Sequence, residues 1–193
     1  MWWGSSILSL AENELLCFDN FRFCDPIKFL EKNNHIFPGT FNPVHFGHIT
    51  TGWGCTFEIC LKNFFKGRNK LADIAHRIQM LSLVGVPVFI TNATTYSEKD
   101  ALFKKYVNRH YVYHIGSDAW NKCIKCPSMF ENVSSEFLVV ETKDEKAKDL
   151  ACVTYNKVIK CNDVVRSTDI RSGNYFGVDN RVKEYIEKNN LYR

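Results

Sequence analysis

The stretch Gly39-Thr40-Phe41-Asn42-Pro43-Val44-His45-Phe46-Gly47-His48 follows a short apolar segment, His35-Ile36-Phe37, that ends at Pro38. This is a strand, a Gly/Pro turn and the start of a helix. Gly39 lets backbone approach a ligand closely, and Pro43 fixes the turn. His45 and His48 are three residues apart, so on a first helical turn they share a face. That face sits at the positive end of a helix, where backbone amides and the dipole favour phosphate. Two imidazoles there can donate to a phosphate whose charge shifts during a displacement. The bland alternative is two surface histidines beside a tight turn. A zinc reading of His-x-x-His lacks an obvious third ligand. The helix that follows reads Ile49-Thr50-Thr51-Gly52-Trp53-Gly54, poor by propensity, so it is predicted to be short or distorted.

Outward from this turn the chain alternates. Strands are predicted at Thr56 to Cys60, Val86 to Thr91, Tyr111 to Ile115 and Phe137 to Glu141, with a short one at Val158 to Lys160. Helices are predicted from Leu71 to Val84, where Ile74, Ile78 and Leu81 recur at helical spacing, from a Ser97-x-x-Asp100 cap through Tyr106, and from Asn180 to Asn189. Such alternation predicts an α/β fold, a Rossmann-like parallel sheet with helices on both faces. Residues 1–33 read as an N-terminal helical extension, with Asp25-Pro26 as a helix start, and 34–193 as one domain. Lys143 to Asp149 reads as a solvated surface segment.

Composition sets the outer limits. The 193 residues suffice for one core. A net charge of +4 with the signs interleaved is too mild for a nucleic-acid partner, but suits a pocket for polyanionic nucleotides. No apolar run has transmembrane length and the N-terminus lacks a basic leader, so the expectation is a cytoplasmic protein with no membrane partner and free to form a homo-oligomer. Its cysteines are then predicted to be reduced thiols. Cys123 and Cys126 could form half of a redox or zinc site, but no second pair has matching spacing.

A second polar cluster, Val165-Arg166-Ser167-Thr168-Asp169-Ile170-Arg171, lies near the C-terminus. Alone it could be an ordinary helix start. Its hydroxyls and the planar fork of Arg171 also suit phosphate oxygens.

Together the two segments resemble the signatures GxFxPxHxGH and ISSTxIR of the nucleotidylyltransferase superfamily. The first agrees at every defined position. In the second, Val165 replaces isoleucine and Arg166 replaces serine, which adds a charge. Phe57-Glu58-Ile59, Asn63, Lys66, His76 to Leu81, His114 to Trp120 and Val182 to Tyr192 resemble nicotinamide/nicotinate-mononucleotide adenylyltransferases and the related domain found beside CinA-like modules. The likeness spans about residues 35 to 193. It implies AMP transfer from ATP to nicotinamide or nicotinate mononucleotide, with release of pyrophosphate and with Mg2+ held mainly by substrate phosphates. It also implies catalytic roles for His45, His48 and Arg171. ATP contacts would come from Gly39, Thr40, Phe41, His48, Lys66, Gly116, Asp118, Ser167, Thr168 and Arg171, and acceptor contacts from Trp120 and Asn63, although Lys66 also reads as one more exposed lysine, Asp118 as a helix cap and Trp120 as core. Two alternatives stay open: a relative acting on another phosphorylated acceptor such as phosphopantetheine, and a nucleotide-binding regulatory protein without transferase activity.

Overall fold

Alternation along the strand after Asn34 sets the layers, with Ile36 in one hydrophobic cluster and its neighbour Phe37 in the other. The computed structural model describes residues 14–62, 73–142, 146–148, 155–161 (as backbone) and 165–193. Among these, eight strands form one sheet: β1 (Leu16–Asp19), β2 (Arg22–Cys24), β3 (His35–Pro38), β4 (Thr56–Cys60), β5 (Val88–Thr91), β6 (Val112–Gly116), β7 (Glu136–Thr142) and β8 (Tyr155–Cys161). Their spatial order is β2-β1-β5-β4-β3-β6-β7-β8.

The six strands from β3 to β8 are parallel to one another, as the alternating pattern predicts. Renumbered from β3, they run 3-2-1-4-5-6, the doubly wound order of dinucleotide-binding folds. The winding reverses between β3 and β6. In such sheets the ligand crevice lies outside the carboxyl ends of the strands at that reversal. Here these ends are Pro38, which leads into the Gly39–His48 turn, and Gly116, which leads into Ser117 and Asp118.

Helices cover both faces. On one side, α1 (Pro26–Lys32), α4 (Tyr96–Tyr106) and α5 (Ser117–Cys123) bury Leu30, Phe103 and Trp120 against Ile36, Tyr113 and Phe137. On the other, α2 (Phe46–Thr51), α3 (Ile74–Leu83), α6 (Ser167–Arg171) and α7 (Asn180–Lys188) pack around Phe37, Phe57 and Ile59. Among the described residues no helix is long and apolar enough to cross a membrane.

Two sequence expectations need correction. The described part of the N-terminal extension is helical only at Pro26–Lys32, where Asp25 caps the Ile27 amide as predicted. Before it, β1 and β2 form a hairpin, and β1 pairs antiparallel with β5, so this segment extends the domain's own sheet. In α4 the cap is Thr95, two residues before the predicted Ser97. Its hydroxyl accepts from the Glu98 amide while the Glu98 carboxylate accepts from the Thr95 amide, a complete capping box. Asp100 is instead buried, where it accepts from the Ser135 hydroxyl, the Ser134 amide and Lys104 Nζ.

Candidate active site

The turn after β3 is built on an aromatic floor. Phe41 adopts φ +48°, and its ring is buried under Gly39, against Phe37 and Phe57 and edge-on to His48. A Cβ on Gly39 would lie 2.4 Å from that ring. Gly39 is therefore required first by the fold of the turn, and the Phe41 side chain is part of the core. The Gly39 amide donates to the Glu58 carbonyl of β4 at 2.9 Å, and buried Arg77 of α3 donates to the Thr40 carbonyl at 3.1 Å. Both fix the backbone that faces the crevice.

His45 caps α2, its Nδ1 accepting from the His48 amide at 3.3 Å. That bond places the proton on Nε2 and leaves a single N–H donor. The His45 and His48 rings stack at 3.7 Å between centroids. Burial pushes the His45 pKa down to about 4, only partly opposed by the carboxylate of Asp118, so this imidazole is neutral at ordinary pH. The predicted amide cradle at the helix start is largely occupied. Phe46 N donates to Gly177 O, and His48 N and Ile49 N donate to His45 O. The helix is six residues long and stops at Gly52, as its composition predicts. Its dipole is correspondingly small, which leaves the two imidazoles as the main donors at this end of the helix that could meet an anion.

The second cluster docks onto this turn. Ser167 Oγ donates to the Pro43 carbonyl at 3.0 Å, and Arg171 donates to the Asn42 carbonyl at 2.8 Å and to Thr168 Oγ1 at 3.2 Å. Thr168 is exposed, and so is Arg166, whose backbone begins α6. Across the winding reversal, Gly116 caps α5, and a Cβ there would lie 3.0 Å from Asp118 Oδ1. Asp118 does not cap the helix. It is exposed, with Lys122 at 3.7 Å, and its charge is felt by His45. The structure thus brings together Gly39, Thr40, Phe41, His45, His48, Ser167, Thr168 and Arg171, with Gly116 at the end of β6 and Asp118 in the first turn of α5 across the reversal.

Trp120 is a correction. Predicted to contact an acceptor, it is fully buried between Phe130 and Phe137, and its indole N–H donates to the Lys148 carbonyl at 2.8 Å. No ring face is open for stacking. The lid over it is Lys146–Lys148, part of the segment read as solvated, which Asn121 also grips through both amide groups. Asn63 and Lys66 lie outside the described residues.

Several supporting contacts escaped the sequence reading. Buried Asn42 accepts from the Tyr192 hydroxyl at 2.8 Å while its carbonyl receives Arg171, so the C-terminus is latched to the turn. Beneath the turn, buried Glu58 accepts from Lys99 Nζ at 2.9 Å and from Thr91 Oγ1. These partners are far apart in sequence, so only the fold reveals them.

The chain matches no protein-family model and no curated protein. Among solved structures it is similar to Plasmodium falciparum nicotinic acid mononucleotide adenylyltransferase complexed with APC, at TM-score 0.60 and 17% identity over 83% of this chain and 96% of that one. The same enzyme complexed with NaAD gives TM-score 0.60 and 17% identity over 83% and 97%. The chain therefore has the fold of these adenylyltransferases.

Proposed function

We infer that this chain is an adenylyltransferase that moves AMP from ATP onto nicotinate or nicotinamide mononucleotide and releases pyrophosphate. One observation carries the reading above all. Two phosphate-type motifs, far apart in sequence, are hydrogen-bonded into one donor-rich surface at the winding reversal of the sheet. The solved structures of like fold are named for nicotinic acid mononucleotide, which makes it the first acceptor to test.

In this reading ATP lies along the backbone of Gly39 to Phe41, with its ribose towards Gly116 and Asp118. The acceptor phosphate attacks the α-phosphorus in line. A new P–O bond forms, the bond to the β-phosphate oxygen breaks, and pyrophosphate departs with that oxygen. The attacking oxygen is already anionic, so no strong general base is needed and catalysis is positioning plus charge stabilisation. His45 Nε2–H and His48 hold the α-phosphate oxygens as charge shifts through the transition state. A neutral His45 donates without taking part in proton transfer. Arg171 and Thr168 receive the β- and γ-phosphates, with Lys66 as a further cation. Ser167 holds the turn, and Asn63 contacts the acceptor. Magnesium enters with ATP as part of the substrate.

The test is pyrophosphate release from ATP and magnesium with nicotinate mononucleotide, nicotinamide mononucleotide and phosphopantetheine offered separately. Release with a pyridine mononucleotide and formation of the dinucleotide are expected. Release only with phosphopantetheine would move the chain to another acceptor, and no release with any of them would remove the transferase reading.

A further inference from the structure

At the far end of α2 from His45, three side chains from separate segments converge. They are His35 at the start of β3, Cys55 just before β4, and His114 within β6. Their nitrogen and sulfur ligand atoms all lie within 4.8 Å of one another. Cys55 and His114 are buried and His35 is partly exposed. We propose that His35, Cys55 and His114 form a binding site for a divalent transition metal of the zinc class.

The hydrogen bonds around the cluster prepare it for that role. His114 Nδ1 lies 3.0 Å from the Thr51 carbonyl, which has no proton, so Nδ1 is the donor and the Nε2 lone pair is left for the cluster. A ligating histidine typically shows this arrangement, giving its second N–H to a backbone carbonyl that fixes ring and tautomer. His35 Nδ1 lies 2.9 Å from His114 Nε2 and, with the His114 proton on Nδ1, donates to it. For both nitrogens to face an ion, the His35 proton moves to Nε2 through solvent on its partly exposed side, and the Cys55 thiol releases its proton to water. Each ion bound therefore releases one proton.

The dimensions suit such an ion. Tetrahedral coordination with bonds of about 2.0–2.3 Å sets ligand atoms roughly 3.3–3.8 Å apart. The imidazole nitrogens, now 2.9 Å apart, must therefore separate by less than about half an ångström, and the sulfur already lies within 4.8 Å of both. Two imidazoles and a thiolate select zinc-like metals over magnesium or calcium, which prefer oxygen. Water would take the fourth position from the His35 side.

The site also bears on α2, whose Ile49-Thr50-Thr51 run is a poor helix former. The Thr51 carbonyl near the end of that helix is the group His114 holds. A bound ion would fix His114 and with it the helix that presents His48. This site is distinct from the magnesium that accompanies ATP, and its test needs no nucleotide.

The experiment is titration of chelator-treated, reduced full-length protein with Co2+ alone, followed by absorption and then by displacement with Zn2+. One cobalt per chain should produce a thiolate-to-cobalt charge-transfer band and tetrahedral d–d bands, both lost on adding zinc. Zinc at a hundredfold excess over its Kd should raise the melting temperature by about 5–10 °C. Cys55→Ser should abolish the charge-transfer band. His35→Asn, at the partly exposed position, should weaken binding more than about 100-fold, beyond the 10- to 100-fold typical of an outer-shell partner. Cys126→Ser should change neither. If Cys55→Ser fails to fold, His35→Asn decides alone. No charge-transfer band at saturating cobalt, or a band that keeps its affinity in His35→Asn, would overturn the site and leave a hydrogen-bonded histidine pair beside a thiol. Neither result bears on adenylyl transfer.

Discussion

Arg171 donates to the Asn42 carbonyl at 2.8 Å across 129 residues of sequence, and this contact joins the two halves of the candidate site. One nitrogen of the guanidinium shapes the turn, and another lies beside exposed Thr168.

That dual placement makes Arg171→Ala informative. Loss of charge-assisted bonds to the β- and γ-phosphates should weaken ATP about 10- to 150-fold, the equivalent of ~1.5–3 kcal/mol. AMP meets only the turn that Asn42 helps to shape and should lose ~2–10-fold, the value of one ordinary hydrogen bond. Calorimetric titration of both nucleotides measures the difference. Arg171→Lys should rescue poorly, because lysine cannot span both partners with a planar fork. Equal losses for ATP and AMP would place Arg171 in the fold rather than at the phosphate tail.

His45 has two separable jobs, and asparagine can do only one. The shorter amide side chain would still accept from the His48 amide, so His45→Asn should melt near the wild type while losing at least ~100-fold in turnover, the usual cost of removing a transition-state donor. His45→Ala should lose both turnover and about 1 kcal/mol of cap energy. His48→Ala should lose at least ~100-fold in turnover. Melting curves beside kcat values check all three, and near-normal turnover in His45→Asn and His48→Ala would detach the motif from the chemistry.

Acid should destabilise the protein partly through His45. Its folded pKa is depressed to about 4 by burial, against an ordinary value of about 6.5. Above pH 6.5 both folded and unfolded forms are neutral, and the full stability is present. Between pH 6.5 and 4 the unfolded chain binds a proton that the folded chain refuses, so stability falls with pH, by up to ~3 kcal/mol. Urea denaturation at stepped pH should show that extra loss in the wild type and not in His45→Asn. Parallel curves would mean that His45 is not the buried neutral group described.

Gly39→Ala should destabilise by about 1–3 kcal/mol, the range for overpacking a filled core, because its Cβ would meet the Phe41 ring at 2.4 Å. Adding Phe41→Leu should recover part of that loss. Chemical denaturation of the single and double variants tests the coupling, and strict additivity would rule it out.

Local features of the fold were legible in the sequence. The Gly39–His48 turn and the β4 strand could be read because each is written in adjacent residues. The β1–β2 hairpin could not be. Its two-residue loop, Asn20-Phe21, has both residues at positive φ, where Asn-Gly would normally announce the turn, and a phenylalanine there hides the signal. Trp120 stayed open between core and acceptor contact for a related reason. A tryptophan just after a Gly-x-Asp strand end looks available, and only the chain at Lys146–Lys148, brought back over it, shows that it is core. The contacts of Asn42, Arg77 and Tyr192 were hidden because their partners come together only on folding. The His35–Cys55–His114 cluster was hidden because it draws on three strands' worth of sequence separation rather than on a spaced motif.

The most direct test follows the α-phosphorus. ATP labelled there should be incubated with magnesium, the protein and a pyridine mononucleotide, and the products separated. The label is expected in the dinucleotide, with unlabelled pyrophosphate released in equal amount. Label recovered as free AMP or as ADP would show hydrolysis or phosphoryl transfer instead, and would contradict adenylyl transfer at this site.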